Sequence, residues 1–141
     1  FMTFVDRQTV VIGKFADPSE PNARLLDGIA ETLGKTEFDG KPLHVVRITM
    51  PARRRGAFAG RNTGIFQSFT NVVYSNGVLF VPSYQGEAAN YEDIVRETYA
   101  ELLPDWEIEF VDCSRISLFS GALHCLVSNL GDTPYLGTTQ Y

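Results

Sequence analysis

The apolar and polar positions of residues 1–50 change period in a way that predicts a hairpin, a helix and a strand. Two apolar, β-rich runs within residues 1–15 flank the polar stretch Asp6–Gln8, which is typical of a β-hairpin. From Leu25 to Leu33 the apolar residues recur instead at helical spacing. The short β-branched run over residues 43–50 then predicts a strand.

The second half of the chain repeats this order. Two β-rich runs within residues 70–84 flank Asn76–Gly77, a dipeptide that strongly favours a tight hairpin turn. A helical pattern over residues 90–103 and a strand-like run over residues 106–112 follow. The apolar face of this second helix is predicted to consist of Ile94, Val95, Tyr99 and Leu102.

Both predicted helices carry local start and stop signals. Asp17 and Ser19 are candidate caps upstream of the first helix, and Gly34 is placed to end it. Asn90 is the candidate cap of the second helix, which should stop before Pro104.

Corresponding apolar positions in the two halves lie at a constant separation. Val10–Ile12 corresponds to Leu79–Val81 and Leu25–Leu26 to Ile94–Val95, each pair at an offset of 69 residues. We therefore predict an α+β fold built from an internal repeat of hairpin, helix and strand. The alternative is two ordinary α+β halves that resemble each other by chance. Because a repeat unit cannot cover its own apolar faces, neighbouring units should supply the missing burial.

Composition narrows the class of protein. The chain has 141 residues, of which 44% are hydrophobic and 21% charged, enough to bury one core. A net charge of −5 without a long basic stripe argues against a nucleic-acid partner, and no apolar run is long enough to span a membrane. The two cysteines, Cys113 and Cys125, favour a cytoplasmic location, with one disulfide between them as an open alternative.

Cys125 is the candidate for chemistry, because a thiolate is the strongest side-chain nucleophile near neutral pH. It follows His124 within the short apolar run of residues 122–127, which we interpret as β-like. If this run is a strand, adjacent side chains point to opposite faces, and His124 is then a poor base for Cys125. A buried structural thiol is the alternative, since free cysteine is among the most frequently buried residues.

The sequence gives little support for a metal site or a phosphate-binding loop. The two histidines, His44 and His124, and the two cysteines do not form a recognisable spacing of metal ligands, so we predict no metal. Gly56, Gly60 and Gly64 are not followed by the Gly-Lys-Ser/Thr of a phosphate-binding loop. We interpret these glycines as a flexible loop and predict no cofactor.

Two stretches of the sequence together resemble a known superfamily. The hairpin segment FTNVVYSNGVLFVPSY (residues 69–84) is followed about fifty residues later by GALHCLV (residues 121–127). In this order and spacing they resemble the guanidino-group-modifying (pentein) superfamily, specifically its branch of bacterial peptidylarginine deiminases and agmatine deiminases. The resemblance implies that Cys125 is the nucleophile and that Asn71 is an active-site residue that helps to position it.

The resemblance also implies a fold of which this chain would be only a part. The superfamily has an α/β propeller of five modules, so residues 1–141 would be the C-terminal two modules of a catalytic domain, with a module boundary near residues 51–68. The family's His-x-Asp, its acid/base and its guanidinium-binding carboxylate, would lie immediately upstream of Phe1. The chain begins with Phe rather than Met, and we expect it to be part of a longer protein and inactive by itself.

The implied reaction is a metal-free deimination without an organic cofactor. The thiolate adds to an arginine-like guanidinium, ammonia leaves, and water releases a ureido product from a covalent thiouronium. The substrate is then a small-molecule or peptide guanidine. The segment LFSGALHC lacks the glycine triplet usual in the agmatine branch, which favours a peptidylarginine-like enzyme over agmatine deiminase. The arginines that could contact a substrate carboxylate are Arg53, Arg54, Arg55 and Arg61.

Two alternatives to this function stay open. One is a non-catalytic pentein that acts as a binding or structural module, as in the ribosome anti-association penteins. The other is a related guanidino hydrolase or amidinotransferase on the same scaffold. Under each of them the open apolar flank of two modules predicts association with the remainder of the polypeptide or with further copies of this chain.

Overall fold

The computed structural model describes residues 1–51, 54–55, 64–119 and 121–128. The strands are β1 (Met2–Phe4), β2 (Thr9–Phe15), β3 (Glu37–Phe38), β4 (Lys41–Pro42), β5 (His44–Met50), β6 (Arg54–Arg55), β7 (Gly64–Ile65), β8 (Val73–Ser75), β9 (Val78–Ser83) and β10 (Glu107–Asp112). The α-helices are α1 (Ala23–Gly34) and α2 (Glu92–Leu102), and 3₁₀ helices cover Gly86–Tyr91, Ile116–Phe119 and Leu123–Leu126.

The first half forms a three-stranded sheet in the order β1-β2-β5. Strands β1 and β2 are an antiparallel hairpin, and β5 pairs with β2 in parallel after the chain has passed through α1. The Asp6 carboxylate accepts hydrogen bonds from the backbone amides of Gln8 and Thr9 and so closes the hairpin turn. The hairpin, helix and strand predicted for this half are confirmed.

The second half forms a sheet of the same connectivity in the order β8-β9-β10. Strands β8 and β9 are antiparallel, and β10 lies parallel to β9 after the chain has passed through α2. Asn76 and Gly77 have φ angles of 48° and 81°, the left-handed values that a two-residue turn between twisted strands requires. The predicted Asn-Gly hairpin is therefore confirmed, and so is the repeated order of elements.

The two halves share one main core. Val11 and Ile48 of the first sheet belong to the same buried cluster as Leu79 and Val81 of the second sheet and Val95 of α2. A smaller apolar cluster joins α1 to the first sheet through Phe15, Ala23, Leu26 and Met50. The shared core means that the two halves stabilise each other and fix the relative positions of their loops.

Both α-helices end close to where the sequence predicted, but the predicted N-terminal cap residues do not cap them. The helix α1 starts after Asn22, and the Asp17 carboxylate accepts a hydrogen bond from the backbone of Ser19 in the preceding turn rather than capping the helix. The helix α2 starts after Tyr91, because Asn90 lies inside a preceding 3₁₀ helix. The prediction that Asp17, Ser19 and Asn90 cap the helices was therefore wrong. Each of these residues lies in a turn or 3₁₀ helix that precedes its α-helix.

The apolar faces of both helices are only partly covered. Leu26 and Ala30 of α1 and Val95 and Tyr99 of α2 are buried. Ile94, which was predicted to lie on the covered face of α2, is 57% exposed. In the described part of the chain, neither α-helix is long and apolar enough to cross a membrane.

Candidate active site

The site is formed where two loops of the second half meet. Asn71 lies in the loop that leads into β8, directly after the buried residues Phe69 and Thr70. Cys125 lies in the 3₁₀ helix Leu123–Leu126, which follows the buried Ala122. Buried residues next to each side chain thus anchor its backbone.

The segment that contains Cys125 is a 3₁₀ helix and not the strand that its sequence suggested. The side chains of His124 and Cys125 are therefore not arranged on opposite faces of a strand. The His124 backbone amide donates a hydrogen bond of 2.8 Å to the Asn71 side-chain oxygen Oδ1. His124 thus contributes its main-chain amide to the site.

The Asn71 carboxamide uses both of its ends to hold the cysteine segment. Its Nδ2 donates to the Cys125 Sγ at 3.7 Å, while its Oδ1 accepts from the His124 amide. This second bond fixes which end of the carboxamide faces the sulfur. The structure therefore brings together the two residues, Asn71 and Cys125, that the sequence analysis selected.

Hydrogen bonding makes Cys125 the more acidic of the two thiols. Cys125 is exposed, and hydrogen bonds from the Ala122 backbone and from the Asn71 side chain lower the pKa of its thiol below the ordinary value. Cys113 is fully buried, and this burial raises the pKa of its thiol. Both cysteines are free, so the alternative of a buried structural thiol applies to Cys113 and not to Cys125.

A cavity of about 190 Å³ is lined by Asn71 but not by Cys125, and its walls are partly aromatic and partly polar. The residues that line it are Phe1, Phe66, Ser68, Asn71, Tyr84, Gly121 and Ala122. Aromatic faces and amide oxygens are groups that can receive a planar cation. No acidic side chain lines the cavity within the described residues, so a carboxylate to bind such a cation would have to come from elsewhere.

Other cavities lie away from this pair. A cavity of about 330 Å³ shares Phe1, Phe66 and Ser68 with the site, and its other lining residues are apolar except for Asn22. A larger cavity of about 820 Å³ is lined by residues such as Phe4, Phe38 and Leu43, and neither Asn71 nor Cys125 lines it. Among the described residues, no three histidine, cysteine or acidic side chains are grouped so that they could hold a metal ion.

The arginine-rich loop is only partly described. Arg54 and Arg55 form β6, which pairs with Gly64–Ile65. Arg53 and Arg61 lie outside the described residues, as do Gly56 and Gly60. The prediction that these arginines contact a substrate carboxylate therefore stays a prediction, and the short ladder of β6 and β7 replaces part of the loop that was expected there.

Sequence analysis missed Tyr84 and Ser68, which also line the cavity. Tyr84 directly follows the apolar strand β9, where a tyrosine is typical of a core position, and it is indeed buried. Its aromatic character gave a signal for burial but none for proximity to Cys125. Only the long-range contact between the loop of residues 66–71 and the end of β9 brings it to the site.

The chain resembles one family over nearly its whole length. Residues 1–130 match the family model described as Porphyromonas-type peptidyl-arginine deiminase. No curated protein matches the chain.

Several solved structures that are similar to this chain are described as arginine or agmatine deiminases. A candidate arginine deiminase from Porphyromonas gingivalis is 25% identical with a TM-score of 0.76, and the match covers 89% of this chain and 35% of that one. The agmatine deiminase of C. jejuni is 25% identical with a TM-score of 0.71, and the match covers 89% and 36% of the two chains. The agmatine deiminase of Enterococcus faecalis, at 18% identity, has the same fold, with a TM-score of 0.76 over 87% of this chain and 37% of that one. The chain thus spans about a third of the length of these proteins.

Proposed function

This chain belongs to the Porphyromonas-type peptidyl-arginine deiminase family, and on that premise we propose that its protein is a cysteine-dependent deiminase. It would convert the guanidino group of peptidylarginine or agmatine into a ureido group and release ammonia. The observation that carries the proposal is the pair of Asn71 and Cys125, in which the amide donates to an exposed thiol of lowered pKa beside a partly aromatic cavity.

The proposed reaction begins with the Cys125 thiolate. Its sulfur forms a bond to the central carbon of the guanidinium, and a terminal C–N bond then breaks as its nitrogen takes up a proton and leaves as ammonia. The product of this step is a covalent thiouronium on Cys125. Water adds to the same carbon and displaces the sulfur, and two protons leave, one to restore the group that protonated the ammonia and one to solvent, which gives the neutral ureido product and the free thiolate.

Two requirements of this chemistry are not met by the described residues of the cavity. The departing ammonia needs a proton donor, and the substrate cation needs carboxylates. We propose that a His-x-Asp immediately upstream of Phe1 supplies both, and that the chain is inactive without it. Phe1 lines the cavity, so a segment joined to its amino group would start next to the site, which supports this proposal.

We extend the proposal to the architecture and location of the protein. The repeated connectivity of the two sheets supports two consecutive modules of a five-module pentein propeller, with a boundary near residues 51–68. The rest of the propeller would come from the same polypeptide. Two free cysteines, one of them an exposed thiol of lowered pKa, are best preserved in a reducing cytoplasm.

The substrate class within the family is part of the proposal. The segment before Cys125 lacks the glycine triplet usual in the agmatine branch, and we therefore favour peptidylarginine over agmatine. An arginyl substrate carries a carboxylate or amide that agmatine lacks. The arginines of residues 53–61 are the proposed partners of that group.

The test measures ureido product in the full-length protein with agmatine, arginine and arginyl peptides. Cys125→Ala should abolish turnover, whereas Cys113→Ala, which removes the buried thiol, should leave substantial turnover. Ureido product formed by Cys125→Ala at the parent rate would contradict the proposal. Release of an alkylamine or transfer of an amidino group would indicate a related enzyme, and no conversion of any guanidine would favour a binding module.

A further inference from the structure

Two tyrosine hydroxyls hold the backbone just before Asn71. The Tyr84 hydroxyl donates to the Ser68 carbonyl oxygen at 3.0 Å, and the Tyr99 hydroxyl donates to the Phe69 carbonyl oxygen at 3.0 Å. The two acceptors are consecutive peptide carbonyls in the loop that leads to Asn71. A loop that is held by hydrogen bonds at two neighbouring carbonyls has little freedom to move. The position of the Asn71 side chain that follows is therefore restricted.

Both tyrosines are themselves rigidly placed. Tyr84 lies just beyond the end of β9 and is 2% exposed, while Tyr99 is in α2 and is 0% exposed. The rings of Phe69 and Tyr84 also pack edge to face, with 5.6 Å between their centroids. Burial raises the pKa of both phenols, so both hydroxyls keep their protons and remain donors.

The end of β9 also holds the segment that leads to Cys125. The Cys113 amide donates to the Ser83 carbonyl oxygen at 2.9 Å, and the Gln85 amide donates to the Ser114 hydroxyl at 2.9 Å. Tyr84 lies between these two attachment points. One short stretch, residues 83–85, therefore connects the loop of Asn71 with the segment of Cys125.

We propose that Tyr84 and Tyr99 are positioning residues that hold the Asn71 carboxamide within hydrogen-bonding reach of the Cys125 sulfur. Tyr99 does not line the cavity, whereas Tyr84 lines it and also lies near enough to Cys125 for an electrostatic interaction. The positioning role assigned to both tyrosines acts through the carbonyls of the loop. The inference rests on the proposed function only in taking Cys125 as the reacting group. Asn71 donates across 3.7 Å, so a small shift of its backbone is enough to lose the contact.

The test compares Tyr84→Phe and Tyr99→Phe with Tyr74→Phe in the full-length protein. Tyr74 is a matched control, because its partly buried hydroxyl pairs with Thr3 and not with the loop of Asn71. The measurement is the rate at which iodoacetamide alkylates Cys125 as a function of pH, followed on the Cys125 peptide by mass spectrometry. Thermal melting of each variant is recorded in parallel.

We expect the alkylation rate of Cys125 at pH 7 to fall about threefold to tenfold in Tyr84→Phe and Tyr99→Phe, with the pH midpoint raised, because the thiolate loses a donor. Tyr74→Phe should keep the parent profile. A lowered melting temperature with an unchanged alkylation profile in both test variants would overturn the inference, because the tyrosines would then act on stability alone. If Tyr84→Phe does not fold, the same comparison made with Tyr99→Phe decides the question.

Alkylation requires no turnover of a guanidine, so this experiment separates the inference from the proposed function. If no ureido product forms in any variant but the order of alkylation rates holds, the deiminase proposal fails and the positioning role stands. If ureido product forms, Tyr99→Phe should lower kcat and leave KM within about twofold, because Tyr99 does not line the cavity.

Discussion

Asn71 and Cys125 lie 54 residues apart in the chain, yet the Asn71 Nδ2 donates to the Cys125 Sγ across 3.7 Å. The same carboxamide accepts a hydrogen bond from the amide of His124. One asparagine therefore sets both the backbone position of the cysteine segment and the proton affinity of its thiol. This double role makes Asn71 the most informative residue to change.

Replacing Asn71 should raise the pKa of the Cys125 thiol. Its N–H donor stabilises the thiolate and lowers this pKa in the parent, so Asn71→Ala should move the pH midpoint of Cys125 alkylation upward. Asn71→Asp should move it further, because a carboxylate next to the sulfur disfavours a second negative charge. The pH dependence of alkylation by iodoacetamide measures both effects.

The control for this series is Asn90→Ala, which removes an exposed asparagine carboxamide from the 3₁₀ helix before α2. It should leave the Cys125 profile unchanged. An unchanged or lowered pH midpoint in Asn71→Ala would show that the amide donor does not govern the thiol.

The two cysteines should differ sharply in reactivity within one molecule. Cys125 is exposed and has a thiol of lowered pKa, whereas Cys113 is 0% exposed and has a thiol of raised pKa. At pH 7 we expect a small alkylating reagent to label Cys125 at least about tenfold faster than Cys113. In concentrated urea the two rates should converge. Peptide mapping after timed labelling measures the ratio, and preferential labelling of Cys113 in the folded protein would contradict the described site.

Two glycines should respond to alanine in opposite directions. Gly77 has a φ of 81° in the hairpin turn, so Gly77→Ala should cost about 1 kcal/mol of unfolding free energy. Gly28 lies inside α1 with open space around it, and Gly28→Ala should stabilise by about 0.5–1 kcal/mol. Because an added methyl group meets no atom within 4 Å at either position, the contrast isolates the backbone conformation. Urea unfolding of both variants checks it, and shifts of the same sign would refute the argument.

The parts of the fold that sequence predicted well are those decided by local patterns. The Asn76–Gly77 turn and the polar stretch Asp6–Gln8 act over a few residues, and both hairpins formed where expected. The order of helix and parallel strand followed from the period of the apolar residues. Helix caps failed because Asp17 and Asn90 were already engaged in turns that precede the helices.

Only part of the site could be predicted from the sequence, because its conformation depends on contacts between distant segments. A short apolar run such as residues 122–127 has no clear period, and the hydrogen bond from His124 to Asn71 joins residues 53 positions apart. The pair of Asn71 and Cys125 was selected by resemblance to a family and not by the physics of either segment. Tyr84 and Tyr99 carried a signal for burial but none for a role at the site, since their hydroxyls donate to backbone carbonyls, which every residue provides.

The 141-residue chain should associate with copies of itself when it is expressed alone. Leu25 of α1 is 61% exposed and Ile94 of α2 is 57% exposed, although each helix buries neighbouring apolar residues. Further exposed large apolar side chains include Phe38, Phe66 and Phe119. Such surface is unfavourable in water, at roughly 25 cal/mol per Å², so contact with another copy or with the rest of the polypeptide should cover it.

Light scattering on a dilution series measures this association. Leu25→Glu should shift the equilibrium toward monomer, because a charge at the exposed apolar position would be buried in the contact. Ala100→Glu adds the same charge to an exposed position of α2 and should have a smaller effect. A chain that remains a stable, folded monomer at every concentration would contradict the prediction, because its exposed apolar side chains would then need no partner.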